Sequence, residues 1–115
     1  MPSQRFNTVF AANQVIQNIL AGSQFEFIGT PSRVQIYAVA DTGTGPVDCE
    51  VTFGQELQIP ASPLPAVAVG TGPVAPDNLL IDDIAAPGDR IVIRQTETGG
   101  AAAAARTLVV ITPLA

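Results

Sequence analysis

The sequence predicts an all-β protein: a two-sheet antiparallel β-sandwich of jelly-roll type, built from about eight short strands. Three observations carry that expectation. Apolar and polar residues alternate with period two over most of the chain, as strands that bury one face do. Glycine and proline, ten of each in 115 residues, interrupt the alternation at short intervals, where turns between strands are needed. Neither Trp nor a cysteine pair is present, although both belong to an immunoglobulin-type core, which leaves the jelly roll as the better sandwich.

The elements are taken in chain order. Residues 5–11 read as a first strand, 14–20 as a second and 24–28 as a short third in which Phe25 and Phe27 share a face. Ala21-Gly22-Ser23 turns the chain between the last two. Residues 33–40 put Val34, Ile36, Ala38 and Ala40 on one face and Arg33, Gln35, Tyr37 and Val39 on the other. Asp41-Thr42-Gly43-Thr44-Gly45-Pro46 then forms a loop, and 47–53 returns as the antiparallel hairpin partner. Residues 55–59 read as another short strand. Pro60, Pro63, Pro65, Pro73 and Pro76 exclude a helix or central strand from much of the next stretch, so 60–78 is the longest irregular segment, with 66–69 able to pair briefly with an edge. Residues 79–84 form a strand, Pro87-Gly88-Asp89 a tight turn, and 90–96 a strand that buries Ile91 and Ile93 or else Val92. The last strand is 106–112. Before it, Gly99-Gly100 opens a run of alanines at 101–105 that is too short for a stable helix, so it reads as a turn whose later alanines enter the strand. As a jelly roll the chain letters B at 5–11, C at 14–20, D at 33–40 and E at 47–53, with the remaining strands after them. Phe6, Phe10, Phe25, Phe27 and Phe53 fall at strand positions and are expected to fill the core.

Length and composition limit the function. A chain of this length forms one domain, 1–115, and buries roughly two thirds of its unfolded surface. The chain has no His, no Lys and a single Cys, which removes the residues that most proton-transfer, covalent and metal chemistry at neutral pH depends on. No enzyme activity and no cofactor are therefore expected. The net charge of −5, with Arg5, Arg33, Arg90, Arg94 and Arg106 scattered singly, argues against a nucleic-acid partner. No apolar run approaches the roughly 18 residues of a membrane span, and nothing at the amino terminus resembles a leader, so neither a membrane nor export is expected. Charged residues make up 13% of the chain, about half the usual share, and a neutral surface suits burial against other protein.

Other constellations have plainer explanations. Asp77, Asp82, Asp83 and Asp89 offer oxygen ligands, but their spacing matches no calcium loop and fits turn chemistry. Glu26, Glu50 and Glu56 contain the carboxylate pair that glycoside hydrolysis needs, yet they read as solvated strand residues. Gly-Thr-Gly-Pro recurs at 43–46 and 70–73 without the helix or lysine of a phosphate loop, and reads as a pair of matching turns. Cys49 alternates with Val47, Val51 and Phe53 as a small buried hydrophobe.

Three segments carry a resemblance. Gln24-Phe25-Glu26-Phe27 after Ala21-Gly22-Ser23, the turn and strand Ala86-Pro87-Gly88-Asp89-Arg90-Ile91-Val92-Ile93-Arg94, and the closing Arg106-Thr107-Leu108-Val109-Val110-Ile111-Thr112-Pro113-Leu114 resemble small β-sandwich virion proteins of bacteriophages, of the capsid decoration or cement type. That resemblance implies a homo-oligomer that binds the major capsid protein at junctions of an assembled shell and strengthens it. It also implies residence in the virion after synthesis in the host cytoplasm. Within that expectation, Arg33 and Arg94 are the candidate polar anchors, because guanidinium forks suit interface carboxylates, and Pro63, Pro65 and Pro73 are the candidate contacts in the long loop. Two alternatives remain open. One is a shell-forming single jelly roll, against which the lack of a basic arm counts. The other is a carbohydrate- or receptor-binding module, for which Tyr37 is the sole ring suited to stacking on a sugar.

Overall fold

The computed structural model describes residues 3–23, 26–41, 47–67, 73, 79–99 and 102–114. Its strands are β1 (Ser3–Phe10), β2 (Val15–Ile16), β3 (Ser32–Asp41), β4 (Val47–Phe53), β5 (Glu56–Pro63), β6 (Ala66–Val67), β7 (Leu79–Ala85), β8 (Ile91–Glu97) and β9 (Ala103–Pro113). One sheet runs β1-β9-β3, with β7 antiparallel along the first half of β3 and β6 parallel to its last two residues. The other runs β2-β8-β4-β5. With β6 set aside, β1-β9-β3-β7 faces β2-β8-β4-β5, which is the strand order of a jelly roll.

A nested ribbon produces this order. The β4–β5 hairpin is innermost, with β3–β7, β2–β8 and β1–β9 outside it in turn, all antiparallel. Successive pairs fall in alternate sheets, and β9–β3 and β8–β4 pairing closes each sheet. Two tight turns hold the innermost part. Gly54, at φ +61, takes the first central position between β4 and β5, where hairpin twist favours glycine. A Cβ there would also lie 2.8 Å from Asp89 Oδ1. Ala86–Asp89 forms the second turn, with Pro87 and then Gly88 at φ +86 in the places a type II turn prefers, closed by Asp89 N–H donating to Ala86 O.

Alternation decides what is buried. Val34, Ile36, Ala38 and Ala40 of β3 point into the sandwich, as do Ile91 and Ile93 of β8, Val47, Cys49, Val51 and Phe53 of β4, and the odd-numbered residues 103–111 of β9. Each fully buried aliphatic side chain of this kind contributes about 1.5–3 kcal/mol.

Several expectations need correction. The strand expected at 14–20 ends at Ile16, because the Asn18 side chain takes over the ladder: its Nδ2 donates to Ile91 O, while its Oδ1 accepts from Ile93 N and Leu20 N. The strand expected at 24–28 reduces to a single bridge between Phe27 and Arg90 among the described residues. Phe27 is 61% exposed rather than part of the core, whereas Phe10 and Phe53 are buried, Phe6 is partly so and Phe25 lies outside the described residues. The irregular stretch begins later than expected: β5 runs through Pro60 to Pro63, tolerated because it is an edge strand with two register shifts against β4. The brief pairing expected at 66–69 occurs at Ala66–Val67, against β3. The loop at 42–46 and both Gly-Thr-Gly-Pro turns, apart from Pro73, lie outside the described residues.

Candidate interaction surface

The residues expected to contact a partner do not converge. Arg33 stands on the outer face of the β1-β9-β3-β7 sheet, where Nε donates to Asp82 Oδ1 at 2.7 Å and Nη2 to Asp82 Oδ2. Gln35 Nε2 joins at 3.4 Å. Arg94 stands on the outer face of the opposite sheet, directly across from Glu50, to which Nη2 donates at 2.8 Å. Pro63 ends β5 at the exposed edge. Pro65 is exposed and its carbonyl accepts from Ala40 N, tying the segment after β5 to the end of β3. Pro73 is buried.

Arginine is spent on internal cross-links. Besides Arg33–Asp82 and Arg94–Glu50, Arg90 pairs with Glu26 at 2.7 Å and Arg106 with Asp41. These pairs shift the exposed groups they join. Asp82 sits below the ordinary carboxylate range because Arg33 donates to it, and Arg33 is raised in turn. Glu26 is lowered first by the Gly22 N–H it accepts and then by Arg90. Among the described residues Arg5 alone of the five arginines has no ion pair, a distinction sequence reasoning missed. One signal was available: Arg5 is the sole charge before Glu26.

The remaining candidates also disperse. Glu26 and Glu50 are held by arginines and Glu56 accepts from Gln58 Nε2, so the three carboxylates sit on different elements with different partners. Asp83 accepts from Ile84 N, Asp89 from Ala86 N, and Asp77 lies outside the described residues. Among the described residues no three metal-ligating side chains come together. Cys49 is 2% exposed, and burial pushes its thiol up to about 11, the Gln95 amide opposing. Tyr37 is 6% exposed, so it offers no ring face to a sugar. No helix among the described residues is long and apolar enough to cross a membrane.

A cleft of about 380 Å³ lies along β1, lined by Arg5, Phe6, Asn7, Thr8, Ile16, Asn18 and Ile19. It opens where β1, the margin of one sheet, approaches β2, the margin of the other. Asn18 is already committed to β8, while Arg5, Asn7 and Thr8 are the other polar residues of the lining. Comparison with models of known families, with curated proteins and with solved structures finds no match for this chain.

Proposed function

We propose that this chain is a virion structural protein that binds and stabilises a phage capsid shell as a decoration protein, with the major capsid protein as its partner. The strand order is the observation that carries the reading, because jelly rolls recur among viral capsid and lectin domains and the lectin-like use lacks an exposed tyrosine here. Fold alone does not fix function, and two further features support the same class. Four arginines are engaged within the chain, so among the described residues the exterior presents few free cations that must lose water on assembly. The described carboxylates and the one thiol form no catalytic pair, which supports a binding role over catalysis.

Arg33 and Arg94 enter this reading with a qualification drawn from the geometry. Each already holds a carboxylate, so a shell subunit would meet a neutralised pair rather than a bare guanidinium. Absolute mass by light scattering, with electron microscopy of the same fraction, tests the proposal. A discrete small oligomer without particles is expected; closed shells of megadalton mass would make this chain the shell protein itself.

A further inference from the structure

The margins of the sandwich are protected unequally. An edge strand exposes unpaired N–H and C=O groups, and proteins blunt such edges with prolines, bulges, charges or short length. The margin at β5 has Pro60, Pro63, Glu56 and two register shifts, and the margin at β2 is two residues long. The margin at β7 carries Asp82 and also Asp83, which lies opposite core-facing Val34 and so puts a charge on the inward side of the edge. Of these devices β1 has only one charge, Arg5. It runs eight residues in unbroken register with β9, without proline, bulge or acid, and no described strand pairs with its other side.

We propose that β1 is a self-pairing edge, through which two copies of this chain join antiparallel about a two-fold axis and merge their sheets into one. Charge selects this occupant. All ten acids lie at or beyond Glu26, so residues 3–23 carry Arg5 as their one charge. In a chain of net −5, β1 is the long margin along which a second copy approaches without acid meeting acid. At β7 it would meet Asp82 and Asp83, and at β5 Glu56.

Side-chain alternation restricts the register to pairings centred on a residue. Opposed residues in an antiparallel pair share a face, so outward-facing Ser3, Arg5, Asn7 and Val9 must oppose one another. Centring the axis on Arg5 would set guanidinium against guanidinium. Centring it on Phe6 sets Arg5 beside Asn7 of the second copy and Ser3 beside Val9, and brings the two half-buried Phe6 rings together at the cleft. That register covers Val9, which is 76% exposed. The geometry makes no use of the virion reading and stands or falls separately from it.

Sedimentation velocity on the whole protein across a wide concentration range tests the pairing. A dimer is expected whose dissociation constant rises roughly tenfold in Asn7→Arg, because two symmetry-related like-charge pairs form. Asn7→Glu should tighten it, and Arg5→Glu combined with Asn7→Arg should restore association. Both positions are exposed, and circular dichroism of each variant verifies that the fold is intact. A monomer at every concentration, a closed trimer, or a dimer indifferent to both charges at position 7 would overturn the proposal.

Discussion

Toward the Ala86–Asp89 turn the sheets close on Val34 paired with Ile111, Ile36 with Val109, Phe53 with Ile91 and Val51 with Ile93. Toward the opposite end the corresponding pairs are Ala38 with Thr107, Ala40 with Ala105, Cys49 with Gln95 and Val47 with Glu97. One half of the interior is branched aliphatic; the other sets small residues on one sheet against long polar ones on the other. The alanines leave the room that Gln95 and Glu97, both essentially unexposed, occupy. Glu97 is satisfied at the rim, where Asn13 N and Gly99 N donate to its carboxylate. Gln95 is not: Nε2 donates to Thr107 Oγ1 across the sandwich at 2.9 Å, but Oε1 is buried without a partner. Stability is thus concentrated in the aliphatic half, while the polar half penalises misregister. A one-residue slip of β8 would drive the aliphatic residues outward and leave the Thr107 hydroxyl without the Gln95 amide.

Chemical denaturation should show the contrast most strongly in Ile93→Ala, which empties a fully buried site in the aliphatic half and is expected to cost about 3–4 kcal/mol. A smaller loss should appear on the polar side at high pH. Because burial raises the Cys49 thiol from 9.0 to about 11, the stability it contributes is fully present below the unfolded value and is lost as pH rises through about 11. That loss is about 2–3 kcal/mol, and Cys49→Ala should remove it from the alkaline unfolding curve.

Thr107→Val strips Gln95 of its cross-sheet oxygen partner and should cost about 1–2 kcal/mol, whereas Thr107→Val with Gln95→Met should return to within about 1 kcal/mol of the parent. A double variant as unstable as the single one would show that the polar half is held by more than this hydrogen bond. The smallest effect belongs to the exterior. Asp82 and Glu26 are lowered, so their contribution is present above roughly pH 4–4.5 and fades as pH falls through their folded values. Thermal melts of Asp82→Asn should lie slightly below the parent at neutral pH and converge on it in acid, a shallower acid decline.

Much of this architecture was legible locally. Val47–Phe53 alternates cleanly between turn residues and appears with the expected bounds, and 33–40 alternates as far as Ile36, beyond which Tyr37 and Val39 of the other face are buried as well. The alanines at 103–105 enter β9 as the sequence implied, and the first four jelly-roll letters fall on β1 to β4. Failures occurred where a side chain replaced backbone, as at Asn18, or where tertiary position relaxed a local rule, as at Pro60 in an edge strand. The arginine candidates failed to converge for a different reason. Their carboxylates lie 44 to 65 residues away in the chain, and no local pattern announces such pairs.

The sandwich, the inward faces of 33–40 and 47–53 and the tight turn at Pro87-Gly88-Asp89 were written in the chain itself, because strand periodicity and glycine or proline backbone preferences act over a few residues. Folding in three dimensions settled which arginines are spent, why Gln95 keeps an unpaired oxygen, and that β1 rather than β5 or β7 is left open. Those outcomes depend on which strand lies beside which, and pairing between distant segments is set by the packing of the whole chain.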